Sequence, residues 1–189
     1  MFQRWMVVAL TFLACSLASA PALAHERAYE FDGTHFALSI ERFMGIDFVD
    51  FEGPGNDHVD ARIFLNATER VPTSHARFGF DVFLRRFSIG LAGGATSGDV
   101  AVLAPRVGYL FGLTPTLGLW LRVGGFYAAT AGPNWAGVTA EALLGWFPYS
   151  NIALHLGPTL DLAFATGDDP RDLDYVSVGL PQIGMTVFL

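Results

Sequence analysis

Asp174-Tyr-Val-Ser-Val-Gly-Leu-Pro-Gln-Ile-Gly-Met-Thr-Val-Phe-Leu189 is a run in which apolar side chains alternate with small or polar ones up to its last two residues. A period of two is the pattern of a β-strand with one apolar face. A strand of this kind without a polar tail is typical of one that closes a barrel. The parity slips near Pro181-Gln182, and because proline lacks the N–H that a ladder needs, we expect a β-bulge there.

The other end of the chain has the features of a secretory signal peptide. Arg4 precedes a short apolar run from Trp5 to Ala14, and Ala22-Leu23-Ala24 has the small-x-small form of a cleavage site. The run, at about ten residues, is too short to be a spanning helix. We therefore expect residues 1–24 to be a signal peptide and residues 25–189 to form one domain.

The single cysteine, Cys15, lies in this leader. A lipoprotein leader that ends before Cys15 is the alternative, but Phe12 stands where such leaders favour leucine. In either case the domain contains no disulfide within itself and no thiolate metal site. We expect no cofactor and no metal.

Composition favours strands in a lipid environment. Apolar residues make up 52% of the chain, which has 21 glycines, 17 phenylalanines and no lysine. Yet after Ala24 no uninterrupted apolar stretch approaches the roughly 20 residues of a spanning helix. Apolar residues that are abundant but interleaved with small and polar ones are typical of a transmembrane β-barrel. The net charge of −7 argues against nucleic acid as a partner.

Eight segments show strand alternation with turn signals between them. They cover 35–45, 76–84, 87–95, 100–111, 117–128, 136–147, 152–165 and 174–189. The connections after the second, fourth and sixth segments are short, whereas 46–75 and 166–174 are long. Bacterial barrels have short periplasmic turns, longer external loops and, for an even strand count, both termini in the periplasm. The sequence thus predicts an all-β, eight-stranded antiparallel up-and-down transmembrane β-barrel of the bacterial outer membrane.

The segment 58–66 inside the first long connection also alternates, although weakly. It is either an extension of a hairpin above the membrane or a further strand, and the sequence leaves both readings open.

Charged residues lie near the middle of six strands, on the face opposite the apolar one. They are Glu41, Arg77, Asp81, Arg106, Arg122, Glu141, His155 and Asp161. In a soluble barrel such as a lipocalin they would face water, whereas in a membrane barrel they would line the lumen. The near balance of arginines and carboxylates favours the membrane barrel, because buried charges must be paired. We interpret the set as a structural ion-pair network.

Two other readings of these charges are a proton- or ion-conducting path and a catalytic cluster. A dyad of His155 and Asp161 is excluded, because six residues along one strand separate them by about 20 Å. A carboxylate on a neighbouring strand remains open as a partner of His155.

Acidic residues are concentrated in the two long connections. They are Asp47, Asp50, Glu52, Asp57, Asp60 and Glu69 in the first and Asp168, Asp169, Asp172 and Asp174 in the last. Such oxygen ligands suit divalent cations, which also bridge lipopolysaccharide phosphates. Neither connection has the Asp-x-Asp-x-Asp-Gly spacing of a calcium loop, so we expect solvated loops.

Four segments carry a family resemblance, namely Phe36-Ala-Leu-Ser-Ile-Glu-Arg-Phe-Met-Gly45, Ala104-Pro-Arg-Val-Gly-Tyr109, Leu119-Trp-Leu-Arg-Val-Gly-Gly125 and Leu156-Gly-Pro-Thr-Leu-Asp161. They resemble the strand signatures of small uncharacterised outer-membrane β-barrel proteins, and the architecture is similar to OmpA- and OmpX-type barrels. The resemblance covers nearly all of residues 25–189 and implies no catalytic residues. Such barrels usually end on a phenylalanine that the barrel-insertion machinery reads, whereas here Phe188 precedes a final Leu189.

These observations lead us to expect a non-enzymatic barrel with a side-chain-plugged lumen and a role in envelope integrity or surface interaction. A small ion- or solute-conducting channel is the alternative, and a lipid-modifying enzyme is a third possibility. The expected partners are outer-membrane lipids and lipopolysaccharide, together with the insertion machinery through the C-terminal strand. We expect a monomer.

Overall fold

The computed structural model describes residues 33–52, 58–65, 76–95, 100–132, 134–149, 151–166 and 174–189. The predicted signal peptide, including Ala22 and Ala24, lies outside them. The strands are β1 (Thr34–Glu52), β2 (His58–Leu65), β3 (Arg77–Leu84), β4 (Phe87–Ala95), β5 (Val100–Thr114), β6 (Leu117–Thr130), β7 (Trp135–Tyr149), β8 (Ile152–Ala165) and β9 (Asp174–Phe188). Within this part of the chain, no helix is long and apolar enough to cross a membrane.

Eight of the strands form a closed antiparallel ring. Its order is β1-β3-β4-β5-β6-β7-β8-β9, and β9 pairs back onto β1 along most of its length. Strands that follow one another in the ring also follow one another along the chain, apart from β2, which is the up-and-down arrangement. The predicted fold class is confirmed, and so is the closing position of the terminal strand.

The strand β2 settles the two readings of 58–66. It pairs with the second half of β1, from Met44 opposite Leu65 to Phe51 opposite His58. The first half of β1 pairs along the same edge with β3. Residues 58–65 therefore extend the β1 hairpin beyond the ring and are not a ninth member of it. Our prediction that 46–75 is a loop is wrong for 46–52, where β1 continues, whereas 58–65 forms the hairpin extension that the sequence leaves open.

Turn lengths differ between the two ends of the barrel. The connections β3–β4, β5–β6 and β7–β8 each contain two residues, whereas β8–β9 contains eight and β4–β5 and β6–β7 contain four each. Arg85, in the first two-residue turn, has a φ of 58°, the left-handed conformation that tight hairpin turns use. We call the end with the short connections the turn end and the opposite one the loop end.

The apolar side chains face outward and the polar ones face inward. Phe78 is 70% exposed and Val123 is 55% exposed, whereas the inward Asp81 is fully buried. This is the arrangement of a membrane barrel and the reverse of a lipocalin, in which the apolar face surrounds the interior.

The inward side chains form three layers. The turn-end apolar layer consists of Ala37, Phe83, Leu110, Trp120, Leu143, Phe147, Ala153 and Phe188. The loop-end apolar layer consists of Val49, Ala92, Val102, Ala104, Phe126, Ala128, Trp135, Ala163 and Tyr175. Rings interlock in both: Phe83 packs against Trp120 with ring centroids 5.1 Å apart, and Trp135 meets Tyr175 at 6.0 Å. Charged side chains occupy the space between these two layers.

The predicted bulge in the terminal strand is confirmed. Gly157 lies opposite Gln182 while Thr159 lies opposite Gly179, so β9 contains one more residue than β8 over this interval. The inward positions change accordingly, from Tyr175, Ser177 and Gly179 to Gln182 and the even-numbered residues after it.

The outward face gives a test of the lipid environment. Leu91 lies in the middle of β4 and is 45% exposed. We expect Leu91→Arg to lower the free energy of unfolding by about 2–4 kcal/mol, because it places a charge in the hydrocarbon of the bilayer. Urea titration of protein folded into phospholipid vesicles measures this loss. Thr116→Arg, in an exposed turn, is the control, and equal midpoints for the two variants would contradict a lipid-facing wall.

Candidate functional site

The charged layer is the candidate site. All eight residues that the sequence predicted for the lumen face inward between the two apolar layers, and none is more than 7% exposed. They come from six strands, and the structure adds a ninth member, Arg42, which is 2% exposed. A continuous series of ion pairs joins Asp81, Arg106, Glu41, Arg122, Glu141, Arg42 and Asp161.

The first half of the series runs from β3 across the lumen. Arg106 holds Asp81 through two donors, with Nε 3.0 Å from Oδ1 and Nη2 on Oδ2. Its remaining Nη1 donates to Glu41 Oε2. The other oxygen of Glu41 accepts from Arg122 Nη1 at 2.7 Å and from the Ser39 hydroxyl at 2.6 Å. Glu41 is therefore shared between two guanidinium groups.

The second half continues from Arg122 to β8. Arg122 Nη2 pairs with Glu141 Oε2, and Arg42 Nη2 donates to Glu141 Oε1 at 2.8 Å. Arg42 also donates through Nη1 to Asp161 Oδ2 at 2.6 Å and through Nη2 to the Thr139 hydroxyl at 3.0 Å. This series alternates in sign as Asp81–Arg106–Glu41–Arg122–Glu141–Arg42–Asp161.

Charge among these nine side chains is balanced. Arg77 lies opposite Glu41 in the β1–β3 register and is 2% exposed, which brings the arginines to four against four carboxylates. Burial of an ion is costly unless its partners are close and its hydrogen bonds are made. Arg106 with Asp81 and Arg42 with Asp161 meet that condition through bidentate pairs, the strongest form of this contact, whereas Arg122 Nε has no hydrogen-bond partner among the described residues.

Sequence reasoning missed Arg42 because strict alternation assigns it to the face of Phe36 and Ile40. In the structure β1 has a register shift between Ile40 and Met44, and Arg42 has a φ of 52°. Two consecutive residues, Glu41 and Arg42, therefore face inward. The cost of burying a charge in lipid could have revealed the inward position of Arg42. An arginine on the lipid face of a mid-membrane strand is strongly unfavourable, and this favours a bulge at that position.

Asp47 also differs from its predicted place. We expected it in a solvated loop, but it lies within β1, is 2% exposed and accepts from Gln182 Nε2 at 2.8 Å. That correction follows from the extended first strand. The side chains of the other acidic residues between Phe51 and His75 lie outside the described residues, as do Asp168, Asp169 and Asp172.

Trp120 connects the charged layer to the turn-end apolar layer. Its ring lies 4.5 Å from the Arg122 guanidinium carbon, within cation–π range, and its Nε1 donates to the Ser88 hydroxyl at 3.2 Å. His155 meets the same ring edge-on, with centroids 6.5 Å apart. His155 therefore lies at the boundary between the two layers, outside the series of pairs.

The charged side chains of the layer contact one another across the lumen, away from solvent. Asp161 is bound by Arg42, and the carboxylates of the layer lie inside the wall at 7% exposure or less. Among the residues that the structure describes, no group of three or more His, Cys, Asp and Glu side chains is arranged to hold a metal ion.

Comparison with known proteins gives the fold and no more. No protein-family model and no curated protein matches the chain. Among solved structures, neisserial surface protein A has a TM-score of 0.52 at 10% identity, covering 82% of this chain and 98% of its own. The attachment invasion locus protein Ail of Yersinia pestis has a TM-score of 0.42 at 12% identity, covering 83% of this chain and 99% of its own. OprG of Pseudomonas aeruginosa also has a TM-score of 0.42, at 11% identity, covering 87% of this chain and 99% of its own. The first of these likenesses shows an outer-membrane β-barrel fold.

Arg42 gives a sharp test of the ion-pair series. We expect Arg42→Met to lower the free energy of unfolding by about 3–5 kcal/mol, because it leaves Asp161 buried without its partner. Arg85→Met is the matched control, since Arg85 also has a positive φ but is exposed in a turn. Urea titration in detergent or vesicles measures both.

The double variant Arg42→Met/Asp161→Asn completes this test. Because it removes the charge as well as its partner, we expect a smaller loss than the sum of the two single losses. Strictly additive losses would show that the contact contributes nothing.

Proposed function

We propose, from the fold of an eight-stranded outer-membrane β-barrel, that the protein is a non-enzymatic structural barrel whose lumen is closed by its own side chains. Its role is envelope integrity or surface interaction through the connections at the loop end. The observation that carries the proposal is the continuous ion-pair series, which crosses the lumen between two layers of interlocked apolar side chains.

Size supports a closed lumen. An eight-stranded barrel has an interior just wide enough for side chains to fill. A cavity inside the charged layer measures about 10 Å³, which is room for about one water molecule. A path for ions would require the paired side chains to separate, leaving buried charges without partners.

Burial also supports a non-enzymatic role. A general acid or base must reach the proton that it transfers within hydrogen-bonding distance. His155 and the paired carboxylates lie inside the wall, and their distance from the surface argues against action on lipid. Unchanged lipid A after overexpression would agree with this assignment, and altered acylation would instead support a lipid-modifying enzyme.

We further propose the bacterial outer membrane as the location, with both termini in the periplasm and with membrane lipid and lipopolysaccharide around a monomeric barrel. The even number of ring strands and the short connections at the turn end support this orientation. The insertion machinery would recognise β9. In that strand Phe188 packs inward against Phe83 and Phe147, while Leu189 is 68% exposed and supplies the outward apolar end.

Conductance tests the closed lumen. In planar bilayers we expect the purified, refolded protein to show no stable unitary steps, whereas an open porin in the same bilayer serves as the positive control. Reproducible steps would overturn the proposal and support the small channel. In that case Glu141→Gln, which removes one lumen charge, should change the ion selectivity of the steps.

Cysteine labelling tests the orientation. Ala131→Cys lies at the loop end and Thr116→Cys at the turn end, and both positions are exposed. We expect a membrane-impermeant maleimide to label Ala131→Cys on intact cells and to label Thr116→Cys only after the outer membrane is opened. The reverse pattern would place the termini outside the cell.

A further inference from the structure

A small cavity lies where the charged layer meets the bulge of β9. It measures about 10 Å³. Its lining consists of two apolar residues, Leu143 and Ile183, and of the polar residues Glu41, Arg42, Arg122, Glu141, His155, Thr159 and Gln182. A cavity of this size is at the lower limit for holding one water molecule, which needs two to four hydrogen-bonding partners.

Three of the lining residues have unmet hydrogen-bonding capacity. Both ring nitrogens of His155, the hydroxyl of Thr159 and the amide oxygen of Gln182 have no partner within the part of the chain that the structure describes. The exposed fractions of these residues are 4%, 3% and 2%. Buried polar groups without partners are uncommon in native proteins, because each has lost its bonds to solvent.

The terminal strand is shaped to bring these groups together. The bulge at Leu180-Pro181 turns Gln182 inward, where its Nε2 donates to Asp47 and its Oε1 is left over. Glycines on either side of the bulge make space for these side chains. An added Cβ at Gly184 would lie 2.9 Å from His155 Nδ1, and one at Gly179 would lie 2.6 Å from Thr159 Oγ1, so a larger residue at either position would collide with them.

We propose that this cavity is a binding site for one ordered water molecule, held by His155, Thr159 and Gln182. The amide oxygen of Gln182 only accepts, the Thr159 hydroxyl both donates and accepts, and a neutral imidazole offers one donor and one acceptor. Water has two donors and two acceptors and matches this mixed set.

The charges around the cavity select a neutral ligand. Glu41 and Glu141 disfavour an anion, while Arg42 and Arg122 disfavour a cation. The site depends on the way β8 pairs with β9 around the bulge, and it does not depend on the proposed role in the envelope. A barrel that conducts could still contain it.

Two threonines provide a matched test. Thr159 and Thr186 are both buried strand residues whose hydroxyls have no partner among the residues that the structure describes, but only Thr159 lines the cavity. If Thr159 binds water, Thr159→Val should lower the folding equilibrium constant about fivefold, because one hydrogen bond is lost. Thr186→Val should leave it unchanged or raise it, because no bond is removed. Equal or greater stability of Thr159→Val relative to the unchanged protein would overturn the proposal.

A crystal structure of the unchanged refolded protein gives a second test that does not require a folded variant. We expect electron density for one water within about 3.2 Å of polar atoms of at least two of His155, Thr159 and Gln182. An empty cavity, with His155 bonded directly to Thr159 or Gln182, would overturn the proposal.

Discussion

Ion pairing inside a wall surrounded by lipid is the constraint on which the rest of the structure depends. An apolar exterior leaves the charged side chains no direction but inward, and eight strands enclose only enough space for side chains. Each guanidinium must then find carboxylates on other strands. A slip of one residue in any of the six strands that contribute these charges would move a charge to the lipid face. The register of those six strands is thus tied to the series that joins Asp81 to Asp161.

Two strands with register irregularities, β1 and β9, pair with each other to close the ring, and one irregularity on each places a polar group in the lumen. On β1 the register shift turns Arg42 inward beside Glu41, and on β9 the bulge turns Gln182 inward beside Asp47. Bulges commonly reorient a side chain at sites with a specific task. Here Arg42 joins β1 to the ion-pair series, and Gln182 joins β9 to Asp47 on β1. The joint between the first and last strands is therefore held by side chains as well as by the backbone hydrogen bonds.

The sequence predicted the strands and their faces well because alternation depends only on neighbouring residues and on one apolar side. It placed Glu41, Arg106 and Glu141 in the lumen for that reason. It failed at Arg42, where local backbone geometry overrides alternation, and at Asp47, where pairing with β2 extends a strand into an acidic segment. Which arginine binds which carboxylate depends on the stagger between distant strands, and period-two patterning contains no information about that stagger.

The first strand contributes both the central Glu41 and Arg42 to the ion-pair series. In an open sheet whose two edges have not yet met, Arg42 on β1 is separated from Glu141 on β7 and from Asp161 on β8, so these groups keep the hydration that their pairing displaces. Joining the edges neutralises these groups together and releases that water into the bulk. Dehydration of these charged groups is therefore coupled to the closure of the wall.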